Sequence, residues 1–121
     1  MEEHWPPLVR ALTEPARYPH PVDDVSVIET HISYVLLTGG FAYKIKKPLD
    51  LGFLDFTRLD SRRHACEEEI RINRRTAPEL YLAVWPVTGR PEEPVLNGEG
   101  EPFEYVVRMV QFDPEQGGDR C

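Results

Sequence analysis

Residues 34–46 read YVLLTGGFAYKIK and carry the strongest structural signal in the chain. The segments 34–38 and 41–46 are rich in aromatic and β-branched residues, which favour strands. Gly39-Gly40 lies between them and matches the two-residue turn that joins hairpin strands. The pattern therefore predicts an antiparallel hairpin.

The predicted hairpin has two chemically different faces. Alternate side chains along a strand point to the same side, so Ala42 and Lys44 share one face with Lys46, whereas Tyr43 and Ile45 point to the other. A small residue followed two places later by a lysine lets a flat ring lie against the strand while the ammonium reaches phosphates. This spacing makes Ala42 and Lys44 candidate nucleotide-binding residues.

Apolar periodicity and the positions of proline and glycine predict the other elements. We expect a short helix at 7–13, strands at 25–30, 80–87 and 103–110, a helix from Thr57 as its cap to about 75, and a loop over 88–102. With the hairpin, this gives an α+β fold class: a five-stranded antiparallel sheet with one main helix on one of its faces.

The chain has the length and composition of one globular domain, with 121 residues, 40% hydrophobic and 29% charged. We divide it into three parts: an N-terminal helix and connector at 1–24, the sheet and helix at 25–112, and a polar tail at 113–121. The whole is expected to form a single core.

Net charge and cysteine content restrict the setting and the partners. A net charge of −7 disfavours binding to nucleic acid or to an anionic membrane surface. The two cysteines have no CxxC spacing, and the N-terminus lacks the pattern of a signal peptide, so we expect a cytoplasmic protein. The segment 40–63 is positive, with six basic and three acidic residues.

A lysine that positions phosphates needs an anionic partner, and the predicted helix carries three glutamates at 67–69. At about 100° per residue, Glu69 lies nearest the face that carries Cys66. We select Glu69 as the partner of Lys44, although a small rotation of the helix would favour one of its neighbours. The alternative is that the lysine is a solvated charge and the glutamates form an exposed helix surface.

Other chemistries have little support in the sequence. The four histidines have no metal-like spacing, and we predict no metal site within the chain. No serine lies in a GxSxG context. The arginines at 62, 63, 71, 74 and 75 interleave with glutamates, which favours a solvated helix face over contact with nucleic acid.

Two long segments carry a resemblance to a known family. Residues 18–89, including SYVLLTGGFAYKIKKPLDLGFLDF at 33–56, resemble the start of bacterial aminoglycoside phosphotransferase-like proteins, including two-part forms with an ATP-binding kinase domain. FEYVVRMVQFDPEQ at 103–116 continues the similarity. The resemblance implies a protein-kinase-like N-terminal lobe at 25–112, of five antiparallel strands and one helix.

The resemblance also implies a cofactor, ATP with magnesium, and a role for individual residues. Lys44 would position the phosphates, and Glu69 would hold Lys44. The turn between the first two strands contains no glycine, so hydroxyls there would replace the glycine-rich loop of protein kinases. The residues expected to contact the nucleotide are Thr30, Ser33, Ala42, Lys44, Met109, Gln111 and Phe112, the last three in a hinge that holds the adenine.

The catalytic aspartate and the magnesium ligands of this family belong to a second lobe, which would follow the present residues. We therefore expect an ATP-binding lobe of a small-molecule kinase that is inactive alone, with a truncated tail. Its expected partners are a nucleotide and either the missing C-terminal lobe or a second copy of the chain. The alternative is a stand-alone protein-interaction module derived from such a lobe.

Overall fold

The computed structural model describes residues 5–50, 52 and 55–111. Prolines mark the starts of its two shortest helical elements, where the missing N–H is not needed. In chain order the elements are α1 (Pro7–Ala11), a 3-10 turn (Pro15–Arg17), β1 (Ser26–Glu29), β2 (Ser33–Leu37), β3 (Phe41–Lys46), α2 (Leu59–Asn73), β4 (Tyr81–Arg90), β5 (Glu93–Leu96) and β6 (Glu104–Val110).

The strands form one antiparallel sheet in the order β1-β2-β3-β6-β4-β5. The predicted hairpin is confirmed, because β2 pairs with β3 from Ser33 opposite Lys46 to Leu37 opposite Ala42. Gly39 has a φ of 104°, a value that glycine adopts without strain. β3 lies in the interior of the sheet, between β2 and β6.

The predicted five-stranded sheet of a kinase N-terminal lobe is wrong, because the sheet has six strands. The additional strand, β5, lies within residues 88–102, which the prolines and glycines had indicated as a loop. Pro94 is tolerated because β5 is at the edge of the sheet. Gly89 has a φ of 83°, and a Cβ there would lie 2.6 Å from the Glu93 carbonyl oxygen, so the β4–β5 turn requires glycine.

The N-terminal residues cover one face of the sheet. Leu12 and Tyr18 are buried against Tyr43, which is fully buried. The Tyr43 hydroxyl lies 2.7 Å from His20 Nε2 and accepts a hydrogen bond of 3.3 Å from Arg108 Nε. The Arg108 guanidinium lies over the rings of two further residues of this face, Phe41 and Trp85. Aromatic packing and one cation thus join the N-terminal segment to the sheet.

The opposite face packs against α2 through a smaller apolar cluster of Cys66, Ile70 and Val107. The helix begins after Arg58, not after the predicted cap Thr57, whose hydroxyl hydrogen-bonds the Asp55 carboxylate. An Asx-type contact therefore organises the turn before the helix and takes up the hydroxyl that was expected to cap it.

Arg62 departs from the solvated helix face predicted for the arginines of this segment. Its side chain is only 10% exposed, and its Nε donates a hydrogen bond of 3.0 Å to Glu104 Oε1. Its Nη1 donates to the Phe56 carbonyl oxygen at 2.8 Å. The arginine therefore links α2 to β6 and to the segment that precedes the helix.

Within the described residues, neither helix has the length and apolar character required to cross a membrane. The predicted tail at 113–121 lies outside the described residues.

Replacing Arg62 by alanine leaves Glu104 buried without its charge partner. We expect the free energy of unfolding to fall by about 3 kcal/mol, as when other buried pairs are broken, measured by urea denaturation at pH 7. Arg71→Ala is the matched control on α2, because its pair with Glu68 is largely exposed and such pairs contribute at most about 1 kcal/mol. Equal losses in the two variants would contradict a structural role for the buried pair.

Candidate functional site

A cluster of three charged side chains lies where β3 faces α2. Lys44 Nζ donates a hydrogen bond of 2.7 Å to Glu69 Oε2, and Lys46 Nζ donates one of 2.7 Å to Glu69 Oε1. We call these three residues the Glu69 cluster. Strand alternation places the two lysines on the same face, and each takes one oxygen of the same carboxylate. The contact expected between Lys44 and Glu69 is present, whereas the roles assigned to them stay predictions.

The other two glutamates of the run face away from β3. Glu67 pairs with Arg63, and Glu68 pairs with Arg71, all on the exposed side of α2. These contacts have the three- and four-residue spacing expected along a helix surface. Glu69 alone among the three therefore points towards the sheet, as its angle relative to Cys66 had predicted.

Burial differs among the members of the Glu69 cluster. The side chains of Lys46 and Glu69 are 9% and 12% exposed, whereas that of Lys44 is 25% exposed. Burial acts to raise the pKa of Glu69, but the hydrogen bonds from Lys44 and Lys46 outweigh it, and the pKa lies below its ordinary value. The cluster therefore holds an ionised carboxylate between two ammonium groups and carries a net positive charge.

Of the two hydroxyl residues that were expected to contact phosphates, Thr30 lies in the turn after β1, and Ser33 is the first residue of β2. The Thr30 hydroxyl accepts a hydrogen bond from the Ser33 N–H at 3.0 Å and donates one to the Ser33 carbonyl oxygen at 3.2 Å. Ser33 is buried. The Thr30 hydroxyl thus closes the turn, and its role towards a ligand stays a prediction.

Two of the remaining candidate residues, Ala42 and Met109, are paired where β3 and β6 lie side by side. Ala42 is opposite both Leu37 and Met109 in the sheet and is only 2% exposed. Gln111 Oε1 accepts a hydrogen bond of 2.7 Å from the Gly39 N–H, so the side chain of Gln111 is tied to the hairpin turn. Phe112 lies outside the described residues.

Part of the α2 face of the sheet is not covered by the helix. α2 packs against β6 and β4, whereas β1 and β2 present Ile28, Val35 and Leu37 on that face, as their register with β3 requires. Ile28 is 50% exposed, and the other two are half-buried. We call Ile28, Val35 and Leu37 the apolar strip. It adjoins Ala42 and Lys44.

A groove runs along α2 from the segment before the helix to Ile72, and Glu69 is part of its lining. Its lining includes His64 and the acidic residues Asp55, Asp60 and Glu68. Since Lys44 is not part of this lining, the groove is acidic and disfavours an anionic ligand. In residues 5–50, 52 and 55–111, no group of three or more His, Cys, Asp or Glu is placed to hold a metal ion.

Sequence reasoning placed Lys46 on the correct face but did not include it in the site. The signal that could have found it is the two-residue spacing from Lys44, which brings both ammonium groups to the same helix. Cys66 lies close to the cluster, and burial raises the pKa of its thiol to about 12. A neutral thiol of this kind packs as a small apolar residue and is a poor nucleophile.

Comparison with known proteins gives relatives of only part of the chain. Uncharacterized proteins of Mycobacterium tuberculosis and Mycobacterium bovis are 41% identical over 68 residues. These residues are 54% of this chain but 14% of the length of the mycobacterial proteins. No family model matches the chain, and no solved structure does.

The lowered pKa of Glu69 makes a contribution to stability that depends on pH. Because the folded-state pKa is below the unfolded one, the stabilisation is present above the unfolded pKa and is lost as the pH falls through the folded pKa. We expect Glu69→Gln to lower the free energy of unfolding by about 2 kcal/mol at pH 7, with a smaller difference from wild type as the pH falls below about 4.5.

Urea denaturation between pH 7 and pH 3 measures this difference. Glu67→Gln is the matched control, since Glu67 makes an exposed pair on the same helix. If the Glu69→Gln curve runs parallel to that of the wild type over the whole range, the ion pairs of Glu69 do not stabilise the fold.

Proposed function

We propose that this chain is the phosphate-binding part of a larger phosphotransferase that acts on a small molecule and uses ATP with magnesium. The observation that carries the proposal is the contact of Lys44 with Glu69 in a cluster of net positive charge. A lysine fixed by a helix glutamate is one of the arrangements by which phosphoryl-transfer enzymes position nucleotide phosphates.

The accessibility of Lys44 supports this assignment. Its side chain is the most exposed of the Glu69 cluster, at 25%, so in this proposal Lys44 is the member that reaches a ligand while hydrogen-bonded to the carboxylate. A phosphate oxygen would replace water at the remaining donor positions of the ammonium group, which has three N–H bonds. The excess positive charge of the cluster would attract it.

The apolar strip supports a base-binding role beside the phosphates. Val35 is directly opposite Lys44 in the sheet, and Leu37 is opposite Ala42. A purine ring placed on this strip would bury apolar surface, which favours binding. The N–H groups of Val110 and Gln111 already donate to the carbonyl oxygens of Leu80 and Gly40. In this proposal, therefore, these two N–H groups do not hold the base.

The acceptor and the catalytic machinery are assigned to other parts of a longer protein. Phosphoryl transfer needs carboxylates that bind magnesium and orient the attacking hydroxyl. The mycobacterial relatives are much longer than the matched region, which is 14% of their length. We therefore propose that these groups lie outside the present residues and that the chain alone does not transfer phosphate.

The second candidate is a protein-interaction module without nucleotide binding. The apolar strip is the observation that favours it, because an exposed apolar face of a sheet is a common contact surface between proteins. The two functions differ in what occupies this face, a purine ring or another polypeptide.

Titration with MgATP, followed by nuclear magnetic resonance of the 121-residue chain, tests the first candidate. We expect shifts at the backbone amides around Lys44 and Val35, and we expect Lys44→Met to weaken binding by about tenfold or more. Lys47→Met is the matched control, because Lys47 pairs with Glu29 and lies over the Tyr34 ring, away from Glu69.

Two results would count against a nucleotide site at Lys44. One is the absence of shifts in the wild type at millimolar MgATP, which would favour the interaction module. The other is an equal loss of affinity in Lys44→Met and Lys47→Met, which would reduce the effect to general electrostatic attraction.

A further inference from the structure

Lys46 has the more buried side chain of the two lysines that contact Glu69. Its side chain is 9% exposed, compared with 25% for Lys44, and both Nζ atoms lie 2.7 Å from the carboxylate. Moving an ammonium group from water into a buried position costs free energy unless the group is paired with an opposite charge. The position of Lys46 is therefore maintained by Glu69, and that of Glu69 by Lys46.

A carboxylate shared by two lysines behaves differently from a simple ion pair when a second anion arrives. If Lys44 were the sole partner of Glu69, a phosphate that attracted Lys44 would leave a mostly buried carboxylate without a counter-charge. A buried charge that loses its partner is strongly destabilising. With Lys46 on the other oxygen, Glu69 keeps one short charged hydrogen bond while Lys44 moves.

We propose that Lys46 is a positioning residue, which keeps Glu69 ionised and fixed to β3 while Lys44 extends from Glu69 to an anionic phosphate. This inference rests on the proposed function for the ligand, but its first step, the retention of Glu69 by Lys46, concerns the unliganded protein. Lys46 itself does not touch the phosphate in this arrangement. The positive charge of Lys46 gives the cluster of two lysines and one glutamate its net positive charge before the ligand binds.

The neighbouring groups do not substitute for Lys46. Arg62, about two turns before Glu69 on α2, is already paired with Glu104 of β6. Cys66 lies between the two ion pairs on the helix, and its thiol is neutral because burial raises its pKa to about 12. Among the described groups close to Glu69, the two lysines are thus the cations that hold the carboxylate.

The test follows the titration of the Glu69 side-chain carboxyl carbon by nuclear magnetic resonance, with and without MgATP. In the unliganded chain we expect Lys46→Met to raise the midpoint by about one pH unit, more than Lys44→Met does. Lys46→Arg should restore it, and Lys47→Met should leave it unchanged. In the wild type, saturating MgATP should raise the midpoint of Glu69, because Lys44 leaves it for the phosphate, but by less than Lys46→Met does.

A second measurement uses the wild-type protein and so does not depend on whether a variant folds. The side-chain ¹⁵Nζ resonances of the two lysines report their hydrogen-bond partners. MgATP should shift the Lys44 resonance and leave that of Lys46 in place. In Lys46→Met, affinity for MgATP should fall about tenfold at pH 7.

The outcomes separate this inference from the proposed function. If MgATP shifts neither lysine but Lys46→Met raises the Glu69 midpoint more than Lys44→Met, nucleotide binding fails and the retention of Glu69 by Lys46 stands. If Lys44→Met raises the midpoint as much or more, or if MgATP shifts Lys46 rather than Lys44, the inference is overturned even where the nucleotide binds.

Discussion

The pairing of β3 with β2 on one side and β6 on the other is the constraint from which both faces of the molecule follow. A strand with two neighbours has no freedom to slip by one residue, because a slip would exchange its two faces. In this register, Tyr43 is fully buried with the N-terminal segment, and Lys44 and Lys46 meet α2. The hydrophobic core on one side therefore fixes the charged cluster on the other.

Two glutamates link α2 to the sheet, and their surroundings drive their ionisation in opposite directions. Glu69 has two ammonium partners, and its pKa is lowered despite its burial. Glu104 has one arginine partner and a backbone N–H, and burial raises its pKa in spite of them. At Glu69 the hydrogen bonds from the two lysines outweigh the effect of burial on the pKa, whereas at Glu104, which is more buried, those from Arg62 and the backbone do not. Two sets of contacts therefore hold α2 to the sheet: the pair of Arg62 with Glu104, and the Glu69 cluster, which has a net positive charge.

The sequence predicted the local elements of this fold better than their number or their contacts. Alternation and the glycine pair predicted the hairpin, and helical angles distinguished Glu69 from its neighbours, because both depend on short-range geometry. Strand β5 was missed, since Pro94 indicates a loop unless the strand is known to be at a sheet edge, which only the tertiary structure shows. The burial of Arg62 was missed for a related reason: Glu104, its partner, is far away in sequence.

The charge distribution explains how an acidic chain presents a positive site. The chain has a net charge of −7, and the groove along α2 carries three further carboxylates besides Glu69. An anion that approaches from the groove meets like charges, whereas one that approaches over the apolar strip meets Lys44. Since fields add over the whole surface, the acidic surroundings repel anions from other routes and leave this direction favourable. In the proposed function, the excess positive charge of the cluster therefore depends on Lys46 as well as on Lys44.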